Sequence, residues 1–234
     1  AFWMEASFFQ LFGDQLFVEK LYSVSIFSLC SLFMILIWRL EASEKALSYF
    51  PLMIWVACIG VMWCVCSNML ENTMALFVLA SYYCYLLGRR KLRLFWIGLS
   101  GFCIFAAFLT KGPTGLFPLA LPGIYWITRK DRLGTFLRDQ STILLGVAFP
   151  LVILWFFSTS AQIGLQGYVE TQIFGSFKNV VTVDSRFYIL RETSESLLPS
   201  LAIGAFVLFA AFKMKGRFEL DWSSGLPFLL TGAS

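Results

Sequence analysis

Leu109-Thr110-Lys111-Gly112-Pro113-Thr114-Gly115 places a single lysine and a Gly-Pro-x-Gly turn between two apolar runs, residues 95–110 and 114–128. Each run is apolar enough to cross a bilayer, so the turn belongs at a membrane surface, with Lys111 pointing into whatever the helix ends enclose. The rest of the chain repeats this pattern of hydrophobic helix broken by short polar turns. It reads as an all-α, polytopic transmembrane helix bundle.

The composition agrees. Of 234 residues, 59% are hydrophobic and 14% charged, with a mean hydropathy of +0.76, whereas a soluble domain carries roughly 25% charged residues. The net charge of +4 does not point to nucleic acid, because the basic residues cluster between apolar runs as they do in cytoplasmic loops. Histidine is absent, which excludes imidazole bases, His-ligated zinc or haem, and Ser-His-Asp triads. Carboxylates, Lys, Arg and Tyr remain for any chemistry. Cys30, Cys58, Cys64, Cys84 and Cys103 lie inside apolar runs and Cys66 near the end of one. Cys64 and Cys66 fall on different faces of a helix, so these thiols read as packing groups rather than metal or redox ligands.

Residues 1–19 are rich in Phe but interrupted by Glu5, Gln10, Asp14 and Gln15, which predicts an interfacial helix rather than a span. Spans are expected over 21–38, 51–67, 73–88, 94–110, 114–128, 141–159 and 196–212, with a partial eighth from 225. All belong to one membrane domain, 1–234. The chain opens on Ala1 and stops within an apolar run, so the expectation is an internal fragment truncated at both ends. If the end of the first span faces the cytoplasm, 13 of the 18 basic residues fall in alternate loops, around Arg39–Lys45, Arg89–Arg93, Arg129–Arg138 and Lys213–Arg217. Lys20, Lys111, Lys178, Arg186 and Arg191 remain on the other face. The positive-inside rule then gives one consistent topology, with Glu71, Lys111 and Arg186 on the outer side.

Three polar sites break that outer face. The tight turn Ser67–Thr73 carries Glu71, which could hold a metal ion or polar substrate. Alternatively, Asn72 or Thr73 caps the next helix and Glu71 complements its dipole. At Lys111, the glycines permit close backbone approach and the following helix offers N–H groups to an anion, against a plain snorkelling lysine. The long loop 160–195 carries Lys178, Asp184, Arg186 and Arg191. Arg186 opens a predicted helix and is the better anion ligand, while Arg191 has Glu195 one turn on and reads as a surface pair.

Leu109–Gly115, the turn Asn68–Thr73 and Ser185-Arg186-Phe187-Tyr188 together resemble polyprenyl-phosphate-sugar-dependent glycosyltransferases of the GT-C fold. The most similar subgroup holds the lipid A aminoarabinose transferases and the protein O-mannosyltransferases. The opening segment, Ala1–Gly13 with Val18–Leu21, is similar to that family's juxtamembrane helix and the approach to its second span. The resemblance implies transfer of a sugar from a polyprenyl-phosphate carrier to a lipid, glycan or protein acceptor at the outer face of a membrane, the periplasmic face of a bacterial inner membrane. Lys111 and Arg186 would hold the carrier phosphate. Glu71 would match the second acidic position, where many members have Asp, with a divalent metal ion as an admissible cofactor; Lys20 stands where many have Arg. The catalytic carboxylate would lie upstream of Ala1. The rival readings are a transporter or lipid flippase and a structural membrane module. Transporters place ionisable residues at mid-membrane, whereas every Asp, Glu, Lys and Arg here maps to a span end or loop.

Overall fold

A computed structural model describes residues 2–41, 50–157, 159–168 and 187–213. All regular structure in these residues is helical. The helices are α1 (Phe2–Phe12), α2 (Leu16–Glu41), α3 (Phe50–Ala57), α4 (Ile59–Cys66), α5 (Leu70–Arg90), α6 (Arg93–Lys111), a 3-10 segment (Gly112–Ala120), α7 (Leu121–Arg129), α8 (Leu133–Phe157), α9 (Thr159–Tyr168) and α10 (Tyr188–Lys213). Four stretches are long and apolar enough to cross a membrane: Leu16–Glu41, Leu70–Arg90, Arg93–Arg129 and Leu133–Phe157. A shorter apolar stretch, Leu197–Phe206, lies within α10.

The third of these, 37 residues long, turns back on itself. Gly112 adopts φ +74° and ψ −142°, a backbone open to glycine and strained for other residues. Three residues later Gly115 lies so close to α6 that a Cβ there would sit 2.4 Å from the Ala107 carbonyl carbon. The chain therefore forms an antiparallel hairpin, with α6 as one leg and the 3-10 segment plus α7 as the other. Pro113, Pro118 and Pro122 remove amide donors along the return leg. A 3-10 helix rises about 2.0 Å per residue against 1.5 Å for an α-helix, so the 18-residue return leg reaches about 31 Å. That matches the hydrocarbon thickness, although the apolar run predicted there is short for an α-helical span.

Elsewhere the element edges move. Leu16–Glu19, expected in the surface helix, form the first turn of α2, and α1 ends at a reversal where Gly13 has φ +89°. The run 51–67 is two short helices broken at Cys58, whose ψ of 112° is extended. No proline accounts for the break; Gly60 is the nearest weak helix former. Helix α8 starts at Leu133 rather than 141, because Arg138 and Asp139 lower the local hydropathy without ending the helix. The predicted loop 160–195 is helical at both ends, in α9 and α10.

Two apolar clusters hold the bundle. One joins Ile37 of α2, Tyr82, Tyr85 and Leu86 of α5, Ile97 and Ile104 of α6, Leu121 and Tyr125 of α7, and Ile143 of α8. The other packs Tyr22, Ile26 and Cys30 of α2 against Leu76 of α5, with Met4 and Phe8 of α1 beside them. Helices α6 and α8 meet through Gly101 and Gly146, where an added Cβ would come within 2.3 Å of the facing backbone. Such close approach of small residues is the usual means of helix association in lipid.

Candidate functional site

Helix α5 begins at Leu70 after the turn Ser67-Asn68-Met69, so Met69 takes the N-cap position and gives no side-chain cap. Neither Asn72 nor Thr73 caps the helix. Both lie inside its first turns, buried against α2, where the Asn72 amide donates to the Ser23 carbonyl at 3.1 Å and Thr73 shares a 2.8 Å hydrogen bond with Tyr22. Burial of a polar side chain is tolerated when it is bonded in this way, and these bonds fix the start of α5 to α2. Glu71, one residue earlier on the helix, faces outward with its side chain 39% exposed.

Lys111 is the last residue of α6, and the hairpin turn brings it to the same end of the bundle. Its ammonium donates to Glu71 Oε1, and its side chain is also 39% exposed. Thr114 closes the turn by donating to the Lys111 carbonyl at 3.2 Å. Two interruptions 40 residues apart in sequence thus meet as one ion pair. Lysine carries three N–H donors and the Glu71 bond uses one of them, so the group is directed rather than simply extended toward water. The same end holds Lys20, whose Nζ donates to the Cys66 carbonyl at 2.6 Å, and Glu5 of α1, which accepts from the Asn68 amide at 2.5 Å.

Arg186, the other predicted phosphate ligand, lies outside the described residues, as do Lys178 and Asp184. Arg191 pairs with Glu195 at 2.8 Å on the exposed surface of α10, as the one-turn spacing predicts. Glu71 brings one carboxylate, and no group of three or more His, Cys, Asp or Glu side chains is placed to hold a metal among the described residues.

Sequence reasoning missed a second polar cluster at the opposite end. Arg89 of α5 makes a two-pronged ion pair with Asp131 at 2.5 and 3.2 Å, and Arg93 of α6 makes one with Asp139 of α8 at 2.8 and 2.7 Å. Arg129 of α7 reaches Glu41 of α2 at 2.7 Å, and the Tyr125 hydroxyl donates to the same carboxylate at 2.6 Å. That proton being committed, Tyr82 donates to Tyr125 across 3.0 Å. The guanidinium of Arg89 lies 4.7 Å from the Tyr125 ring centroid, a cation–π contact. The legible signal is a tyrosine one turn before an arginine, repeated as Tyr85/Arg89 and Tyr125/Arg129. Each described carboxylate here is bonded to a cation, which suits a clamp holding five helices, α2 and α5 to α8, in register.

Comparison with known protein families, with curated proteins and with solved structures finds no match to this chain.

Proposed function

We propose that this chain belongs to a membrane glycosyltransferase of GT-C type, moving a sugar from a polyprenyl-phosphate carrier to a lipid, glycan or protein acceptor. The observation that carries the reading is the meeting of Lys111 with Glu71 at one end of the bundle. Both come from the motifs on which the family resemblance rests. The same reading makes α1 an interfacial helix, sets the full count at seven spans and a partial eighth, and turns the Lys111 end toward the periplasm of a bacterial inner membrane.

Lys111 would serve as the ligand of the carrier phosphate. As the glycosidic bond to the phosphate breaks, negative charge grows on the leaving oxygen. A prepositioned ammonium in a partly dry site stabilises that charge more in the transition state than in the bound substrate. Glu71 keeps the ammonium in place beforehand, and Arg186 is the second phosphate ligand. No described residue is assigned as the base that deprotonates the acceptor hydroxyl.

The test is Lys111→Ala in the enzyme, assayed with a panel of polyprenyl-phosphate sugars. Loss of a charge-assisted contact worth roughly 1.5–3 kcal/mol should lower turnover about ten- to a hundredfold. Stability should change little, because a half-exposed ion pair contributes at most about 1 kcal/mol. Turnover equal to wild type would remove Lys111 from the site.

A further inference from the structure

The basic end of the bundle carries more positive charge than its ion pairs consume. Three carboxylates are described there, Glu41, Asp131 and Asp139, and each is taken by one arginine: Arg129, Arg89 and Arg93 respectively. Arg39, Arg90, Lys91, Lys130, Arg132 and Arg138 are all exposed, and among the described residues none of the six makes an ion pair. They are also close to one another. Arg90 donates to the Leu40 carbonyl, next to Arg39. Lys130 and Arg132 flank Asp131, which is bonded to Arg89, and Arg138 precedes Asp139, which is bonded to Arg93. The clamp that holds the helices in register therefore also gathers these cations at one end.

Interleaved with this charge are exposed apolar side chains. Leu92, Leu94 and Phe95 flank Arg93 at the start of α6, and Leu133 opens α8 directly after Arg132. Leu92 sits at the tip of the α5–α6 turn with φ +41°, a conformation uncommon for leucine, and its side chain is largely exposed. Apolar groups beside unpaired cations match the order of materials in a phospholipid leaflet, with acyl chains below and phosphates above. A basic surface for a soluble anion or a nucleic acid would not require the leucines and phenylalanine.

We propose that this end of the bundle binds the headgroups of anionic diacyl phospholipids, so that its charge excess is a lipid-docking surface as well as an orientation signal. The cations reach the phosphates while the apolar residues beside them enter the acyl region. Each basic residue near such a surface should favour anionic over zwitterionic lipid by roughly fivefold.

The experiment is to purify the chain from mixed micelles containing equal amounts of phosphatidylglycerol and phosphatidylcholine and to measure the retained lipid by native mass spectrometry. Wild type should retain phosphatidylglycerol in at least about tenfold excess. The variant Lys91→Gln/Lys130→Gln/Arg132→Gln, which leaves the three paired arginines intact, should lose at least about tenfold of that preference. Lys20→Gln at the far end should lose none. If the triple variant does not accumulate, Lys91→Gln and Arg132→Gln singly should each show about one fivefold step. Equal retention of the two lipids by wild type would overturn the proposal, as would an undiminished preference in the variants. Displacement of the bound lipid by millimolar inorganic phosphate would also overturn it, by showing a site for free anions.

Discussion

Replacing Gly115 with alanine has opposite consequences for two shapes of the segment Arg93–Arg129. In one uninterrupted straight helix, Gly→Ala would stabilise by roughly 0.5–1 kcal/mol, because alanine loses less backbone entropy. In the hairpin, the new Cβ would lie 2.4 to 2.6 Å from the carbonyl carbon and oxygen of Ala107 and the amide nitrogen of Phe108. All three are backbone atoms that no rotamer change can move. Relief to ordinary contact, near 3.5 Å, needs the legs to part by about 1 Å, an overpacking cost of roughly 1–3 kcal/mol. Gly98, on the α6 leg of the same hairpin, is the internal control, since its Cβ would meet nothing within 4 Å. Gly98→Ala should be neutral or mildly stabilising. The assay is thermal unfolding of the detergent-solubilised protein, where 1 kcal/mol corresponds to about 2–4 °C for a chain of this size. Gly115→Ala should lower the midpoint by several degrees while Gly98→Ala does not. A midpoint raised or unchanged by Gly115→Ala would refute the hairpin, and with it the route by which Lys111 reaches Glu71.

The clamp gives two further expectations. Tyr125→Phe removes the donor to Glu41, whose side chain is only 6% exposed, and should cost about 1–3 kcal/mol. Tyr82→Phe leaves that bond in place and should cost about 1 kcal/mol; urea or thermal melts showing the reverse order would mean that the proton of Tyr125 points to Tyr82. In the Arg93–Asp139 pair the side chains are 30% and 2% exposed, so the two deletions are unequal. Arg93→Ala strands a buried carboxylate and should cost about 3–5 kcal/mol, whereas Asp139→Ala leaves a guanidinium that can turn to water and should cost less. Equal losses in the same melts would show that water already reaches Asp139.

The helical, membrane-type character of the chain was legible because it depends on composition summed over long windows. The turn at Lys111 was legible because Gly112, Pro113 and Gly115 each carry a strong local constraint, and the structure uses them for a reversal and a close contact. The start of α8 was not, because hydropathy counts Arg138 and Asp139 as loop-like, and only the partner Arg93, 46 residues upstream of Asp139, makes them acceptable in a helix. The capping reading of Asn72 and Thr73 failed for the same reason. Their local preference for a helix start gave way to hydrogen bonds with α2 that no local window contains. The sequence marked Lys111, its turn and Glu71 separately, while the pairing of Lys111 with Glu71 could be found only from the fold.

The clamp also sets an order in time. Arg129, Asp131 and Asp139 lie within one short stretch of chain, and their partners Glu41, Arg89 and Arg93 precede them by 88, 42 and 46 residues. At a synthesis rate of roughly 5–20 residues per second, Glu41 waits about 4 to 18 s for its arginine. All three bonds then become possible almost together, as the connection between α7 and α8 is made. Until that moment α2, α5 and α6 are joined by their own contacts and by the bonds at the Lys111 end, and afterwards the ends that carry Glu41, Arg89 and Arg93 are also tied to the chain around α7 and α8. Nascent chains arrested after residue 128 should therefore be far more protease-sensitive at this end than chains arrested after α8 is complete, and equal sensitivity would show that the helices lock without the clamp.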